Sequence, residues 1–464
     1  MQVYPKESSR LKSAEVLVRE NFPRFGVNKK QEITRLLYEI SKKEGIEPED
    51  ILEEGESLQD YLRLKKILLQ RRYPLAYQDQ PSLKTYLPKL KFIDPALNSL
   101  LSCHSRESGN PVNLDSPVTD RLESFYPKKV FIEKSVISSA MAARFKGLFP
   151  RADFKEIESF KAYRAENQDF GIGAYNKRQE TVFIVRENYD FFKKCPCTKC
   201  ASACGYHIFN LGFGCIYECV YCYLQEYTNT PGIILPANIG DFFNAFNDYK
   251  REGMRIGSGE FTDSLALDSW TGYSLELIDF FKQHPQVTFE FKTKSIEIDN
   301  LLRTKHSGNI VVSWSLNPQA VINENEFFSS SLEERLTAAK SCVEAGYKVG
   351  FHFDPIIYFS GWQDEYGQLI ESLFARIKPK DIAWISLGTL RFRPELKTVI
   401  ESRFPENKIL DEELLLGYDN KLRYPDKMRD GVYRYMASAI RGHSKDIELY
   451  LCMENRKMRG ELSL

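Results

Sequence analysis

No stretch of this 464-residue chain is apolar for long enough to cross a bilayer, and its N-terminus, MQVYPKESSRLK, lacks the apolar core of a secretion signal. A membrane or exported protein is therefore not expected, and the cytoplasm is the expected compartment. Net charge is absent as well: 64 basic residues face 64 acidic ones, so any nucleic acid must be met by local patches rather than by bulk charge. Nor are the cysteines spread as a disulfide framework. Of ten, seven crowd between Cys195 and Cys222, which reads as metal ligation in a reducing compartment.

What is present is concentrated in GCIYECVYCYLQ, where Cys215, Cys219 and Cys222 stand at CxxxCxxC spacing. Three thiolates hold three irons of a cubane 4Fe–4S cluster, where a structural cluster takes four cysteines, so one iron is left open. An open position is what separates a catalytic metal site from a structural one. The same spacing also suits zinc with His207 or Cys204 as fourth ligand, or three unligated thiols in a core. Tyr221, beside the last cysteine, can pack over such a centre.

Along the chain the organisation changes twice. Residues 1–97 show helical periodicity, with Ile33, Leu36, Leu37 and Ile40 on one face and a basic Gln70-Arg71-Arg72 end; they read as a helical domain whose cations form a solvated face. Residues 98–122 include SCHSRESGNPVNLDSPVTD, a linker or insertion with almost nothing to bury; CHSRESGNP resembles translated palindromic repeat elements, which implies that Cys103 and His104 are accidental. Residues 123–206 begin an α/β region with strands at VFIEK and TVFIVRE around the helix SSAMAARFKGLF, and carry an extra cysteine cluster. Within residues 207–464, strands are expected at RIGSGE, VTFEFKTK, NIVVSWSLN, KVGFHFDPII and IAWISLGTL, with helices between them. In SLEERLTAAKSCVEAG, Ser331 and Glu334 form a capping box and Gly346 ends the helix. Such alternation implies a parallel sheet with right-handed crossovers, here a partial (β/α)6 TIM-type barrel. Chemistry then belongs at the strand C-terminal ends, where Cys215, Glu260, Lys294, Ser315 and Asp354 fall.

The cysteine loop resembles the cofactor loop of the radical S-adenosylmethionine (SAM) superfamily. That resemblance implies that the open iron chelates the amino and carboxylate groups of SAM, and that an electron from the cluster cleaves the sulfonium to a 5′-deoxyadenosyl radical. From about Tyr126 to Asn455 the chain is similar to the spore photoproduct lyase family, which reverses a thymine–thymine UV lesion in DNA. The motifs carrying this are GCIYECVYCYLQ, TDSLALDSW, KTKSIEIDNLL, SWSLNP, the run from SLEERL to GWQDEY, and LRFRPELKTVIESRFPENKI. The first hundred residues have no counterpart there. The resemblance implies that Cys215, Cys219 and Cys222 bind the cluster, that Lys294 and Ser315 contact SAM, and that Tyr221 and Tyr223 lie near cluster and substrate. It also implies damaged DNA as partner and a reducing donor such as ferredoxin or flavodoxin. A solvated Lys294 and a Ser315 bonded to local backbone are the plainer alternatives.

Two departures stand out. Where the family carries a hydrogen-donating cysteine, GSGEFTDS has Glu260, whose carboxyl O–H is too strong to give a hydrogen atom to a carbon radical. GSGE instead resembles the segment that holds the SAM amino group in many radical SAM enzymes, and a strand-end ion pair is the alternative. The second departure is Cys195, Cys197, Cys200 and Cys204, four soft ligands that suit an auxiliary iron–sulfur cluster or a tetrahedral zinc, and equally a redox pair or spare thiols. His352 is weighed as a pocket residue against a satisfied core histidine.

Overall fold

The computed structural model describes residues 6–53, 60–79, 125–167, 171–188, 190–197, 204–226 and 231–461. The 98–122 linker and Cys200 lie outside them. The chain forms two compact units.

One unit combines the N-terminal helices (Lys6–Asn21, Val27–Glu44, Pro48–Glu53, Tyr61–Arg72, Pro74–Asp79) with residues 357–360 and 389–432. Ile33, Leu36, Leu37 and Ile40 recur at helical spacing and bury one face of Val27–Glu44 against Val18, Leu64, Leu68 and Tyr73. The cations depart from the expected solvated face. Arg35 and Arg72 are buried because the carboxylate of Glu39 sits among them, accepting from Arg35 Nε at 2.7 Å, Arg72 Nε at 2.9 Å and Lys397 Nζ at 2.7 Å. A buried charge persists only when paired in this way. Arg35 also pairs with Glu401, and the Glu413 carboxylate accepts from the backbone N–H of Leu75 and Ala76, both at 2.9 Å. Residues more than 300 positions apart are thus held in one core.

The other unit holds the parallel sheets. Its strands are β1 Lys129–Glu133, β2 Asp153–Ile157, β3 Thr181–Val185, β4 Phe192–Lys194, β5 Tyr206–Phe209, β6 Glu218–Cys219, β7 Ile233–Pro236, β8 Arg255–Gly257, β9 Thr288–Thr293, β10 Ile310–Ser315, β11 Glu326–Phe327, β12 Lys348–Ile356 and β13 Ile382–Thr389, with a last strand at Leu449–Leu451. The expected strands VFIEK and TVFIVRE are β1 and β3, and they belong to a separate parallel sheet of order β2-β1-β3-β7. The large sheet runs Leu449–Leu451, β13, β12, β10, β9, β8, β5, β4, with β4 antiparallel at one edge. It curls into a partial barrel.

That curl is visible in side chains that meet inside it. Arg255 on β8 donates to Tyr450 Oη at 3.0 Å and lies 3.6 Å from the ring centroid of Trp384 on β13. Glu290 on β9 accepts from Arg255 at 2.9 Å and bonds His352 Nε2 at 2.7 Å, while His352 Nδ1 bonds Ser386 Oγ at 2.6 Å. Burial lowers the imidazole pKa to about 4, and Arg255 and His352 hold the Glu290 carboxyl far below its ordinary value against the opposing effect of burial. His352 is a satisfied core histidine. The Leu332–Glu344 helix opens on the expected capping box of Ser331 and Glu334, and Gly346 follows it at φ 94°.

Candidate active site

The three-cysteine loop follows β5 and is pinned by its backbone. Gly212 (φ 125°) and Gly214 (φ 101°) turn the chain where no side chain fits: a Cβ on Gly212 would lie 2.3 Å from the Ile234 carbonyl oxygen, and one on Gly214 3.2 Å from Ile233 Cα. Further on, β6 pairs antiparallel with β11, setting Cys219 opposite Glu326. Arg178, buried, donates to the carbonyls of Cys215 at 3.1 Å and Tyr217 at 2.7 Å and to the Glu218 carboxylate at 2.8 Å. Gln225 Nε2 reaches the carbonyls of Cys219, Val220 and Cys222 at 3.1, 2.8 and 3.1 Å. The peptide oxygens are therefore turned to these partners, and the three sulfurs stay within electrostatic reach of one another. Burial raises all three thiols, Cys215 to about 12, so they are neutral thiols near neutral pH.

Behind the loop lies a buried charged network. Glu326 accepts from Arg335 Nη2 at 2.7 Å, from Asn317 Nδ2 at 2.8 Å and from the Tyr221 hydroxyl. Arg335 also donates to the Ser315 carbonyl at 2.9 Å and to Ser329 Oγ at 2.8 Å. Burial opposes ionisation, but Arg335 and Lys294 hold the Glu326 carboxyl down at about 2. Lys294 follows β9; its backbone N–H donates to Asp263 at 2.7 Å, and its buried ammonium faces Glu326 and Cys219, 5.7 Å from the Tyr221 ring centroid. Burial works against that charge too, yet the Glu326 carboxylate raises the lysine's pKa, so it is a cation beside the thiols.

Glu260 lies three residues beyond the end of β8, on the other side. The Glu260 carboxylate pairs with Lys193 Nζ at 2.9 Å, and its carbonyl accepts from the Tyr223 hydroxyl at 2.5 Å. The neighbouring Phe261 carbonyl takes Gly214 N–H at 2.8 Å, so this segment is bonded to both ends of the cysteine loop. Tyr223 is 38% exposed, whereas Tyr221 is turned into the buried network. Cys215, Cys219, Cys222, Lys294, Ser315, Tyr221, Tyr223 and Glu260 thus gather around one loop. Cys195, Cys197 and Cys204 do not join them; they lie between the two strands of the β4–β5 hairpin, and His207 packs edge-on against Tyr249 with ring centroids 5.8 Å apart.

Glu326, Arg335, Asn317, Arg178 and Gln225 were not singled out from the sequence. For Gln225 and Glu218 a signal existed, since polar residues inside an otherwise apolar and aromatic loop must find buried partners. For Glu326 and Arg335 there was none, because their link to Cys219 is a strand pairing over a hundred residues away.

A parallel sheet curled into a partial barrel, with three cysteines on a loop at a strand's C-terminal end, defines the radical SAM class of enzyme. Within that class the chain belongs to the spore photoproduct lyase family: the family's sequence model, described as spore photoproduct lyase, matches residues 125–441, and the chain is thereby a radical SAM lyase. It is 28% identical over 302 residues to the spore photoproduct lyase of Geobacillus sp. (strain Y412MC61), covering 63% of this chain and 86% of that protein. Against the Bacillus subtilis (strain 168) spore photoproduct lyase, identity is 28% over 301 residues, with 62% and 86% covered. Among solved structures it is similar to spore photoproduct lyase complexed with the dinucleoside spore photoproduct, at 25% identity and a TM-score of 0.61, covering 70% of this chain and 98% of that one. A double variant of spore photoproduct lyase with bound AdoMet and the same dinucleoside gives 26% identity and a TM-score of 0.60, with 71% and 99% covered. Among the described residues no helix is long and apolar enough to cross a membrane.

Proposed function

We propose that this protein repairs a thymine–thymine photoproduct in DNA by radical SAM chemistry. The observation that carries the reading is the pinned loop of three thiols, Cys219 buried and Cys215 and Cys222 half-buried, with the Lys294 cation beside them. Three soft donors on one loop fit a 4Fe–4S cluster that leaves one iron open. Cys215, Cys219 and Cys222 hold it; when bound, it supplies the electron that cleaves SAM reductively to a 5′-deoxyadenosyl radical. Lys294, fixed by Glu326, offers charge to the SAM carboxylate, Glu260 accepts from the SAM amino group, and Ser315 sits at the neighbouring strand end. The solved relatives bearing AdoMet and the dinucleoside photoproduct support both ligands.

Repair requires one hydrogen atom to leave the lesion, the carbon–carbon bond to break, and one hydrogen atom to return. Glu260 cannot return it. Tyr223, exposed and bonded to the Glu260 carbonyl, is the phenol assigned to that step. The tyrosyl radical it leaves is restored by an electron from a ferredoxin- or flavodoxin-class donor and a proton from solvent. Tyr221 is assigned to positioning, through Glu326 and Lys294.

A second reading, a different radical reaction on another substrate, is favoured by Glu260, which the family resemblance matches with the hydrogen-donating cysteine and whose carboxylate pairs with Lys193. The test is anaerobic incubation with dithionite, SAM and an oligonucleotide carrying the spore photoproduct. Repair predicts 5′-deoxyadenosine together with recovered thymine. 5′-Deoxyadenosine without thymine selects the second reading, and intact SAM overturns both.

A further inference from the structure

The curl of the large sheet brings together two segments that are far apart in its strand order. Five strands, β13, β12, β10, β9 and β8, separate Leu449–Leu451 from β5. Even so, Tyr450 and Tyr206 both lie against the Arg255 guanidinium, with ring centroids at 5.5 and 5.3 Å. Each tyrosine has a cysteine two residues away. Cys204 precedes Tyr206, with Gly205 between them at φ 76°. Cys452 follows Tyr450, and its backbone N–H donates to the Leu387 carbonyl at 2.8 Å, continuing the pairing with β13.

The β4–β5 hairpin adds two more. Cys195 donates its backbone N–H to the Tyr206 carbonyl at 3.0 Å, one step beyond the Lys194–His207 pair, which sets its side chain on the same face as Tyr206. Cys197 closes a tight turn, its N–H 2.7 Å from the Cys195 carbonyl. The Cys197 side chain is the foremost neighbour of the Cys195 thiol, and Cys204 and Cys452 lie within electrostatic reach of it. Cys195, Cys197, Cys204 and Cys452 are all thiols rather than disulfides.

We propose that Cys195, Cys197, Cys204 and Cys452 form a four-thiolate site for one soft metal centre, zinc or an iron–sulfur cluster, whose fourth ligand comes from the C-terminal strand. Four thiolates with no vacancy make a closed, structural set. Binding zinc releases four protons from the four thiols, and Arg255 nearby offsets part of the negative charge left behind. Cys452, outside the upstream cysteine motif, is what makes the site span the open side of the barrel. A centre there staples the β4–β5 hairpin to Leu449–Leu451, so metal affinity becomes stability of the barrel.

The test first removes the cysteines of the catalytic loop. Full-length protein with Cys215, Cys219 and Cys222 all changed to Ala is purified anaerobically and its zinc, iron and sulfide are counted. About one zinc, or about four irons with four sulfides, per chain is expected. Traces of both metals only would overturn the site. Adding Cys452→Ser should weaken retention against a chelator by more than the roughly 10–100-fold produced when a contact that merely supports a ligand is lost. A second measurement needs no variant: in the wild-type chain, alkylation of Cys195, Cys197, Cys204 and Cys452 should slow together on metal loading. Cys452 alkylating at the same rate with and without metal would exclude it as a ligand. Both readouts are independent of SAM cleavage and of repair.

Discussion

Glu326 and Arg335 form an ion pair at 2.7 Å with both side chains wholly excluded from solvent, and through it the backbone opposite Cys219 is tied to the end of β10. Removing one partner leaves a buried charge without compensation. Glu326→Ala is expected to lower unfolding free energy by about 3–5 kcal/mol in denaturant titrations. Glu326→Gln, which keeps the acceptor for Tyr221 and Asn317, should cost less. Equal losses for the two would assign the whole cost to the charge, and Glu326→Gln as stable as the wild type would mean that the charge is unimportant.

Lys294 is the cation assigned to the SAM carboxylate. Lys294→Met should leave cluster iron unchanged while weakening SAM binding about 10-fold or more, equivalent to about 1.4 kcal/mol or more. Calorimetric titration of SAM into reconstituted protein reads this directly. Unaltered SAM affinity would return Lys294 to a structural role opposite Glu326.

Tyr223 and Glu260 separate radical generation from hydrogen return. With Tyr223→Phe, 5′-deoxyadenosine should still form while thymine recovery falls about 10-fold. Glu260→Cys restores a thiol at the strand end and should raise thymine recovered per SAM consumed. A parallel loss of 5′-deoxyadenosine in Tyr223→Phe would place that tyrosine in SAM binding instead.

The N-terminal unit should be acid-sensitive. Burial raises the Glu39 carboxyl, but Lys397, Arg35 and Arg72 outweigh it and hold the group well below its ordinary value of 4.5. Tyr73, Glu401 and Asp411 complete the charged and titratable surroundings. A depressed carboxyl contributes stability that is present above its unfolded pKa and lost as pH falls below it. Hydrogen exchange at residues 33–41 and 394–403 should therefore accelerate as pH falls below about 4.5, after correction for intrinsic rates. Glu39→Gln should accelerate it already at neutral pH.

Much of this was legible in the chain. CxxxCxxC, the β-branched runs that became β8, β9, β10, β12 and β13, and the Ser331 capping box are local signals, and local physics decides them. Unread were the partnerships made by topology: Cys219 with Glu326 across a strand pair, Glu39 with Lys397 across most of the chain, and Tyr206 with Tyr450 across a curled sheet. Periodicity reports which face of an element is buried and says nothing of which distant element covers it. Arg35 and Arg72 show the limit plainly, since a cation reads as solvated until its carboxylate is located.

The central claim is that three thiolates hold a cluster whose open iron takes SAM. Electron–nuclear double resonance of the reduced, anaerobic protein with SAM labelled by nitrogen-15 at the amino group and oxygen-17 at the carboxylate tests it most directly. Coupling of both nuclei to the cluster spin is the predicted result. A cluster spectrum that SAM leaves unchanged, or no such cluster at all, would contradict the account.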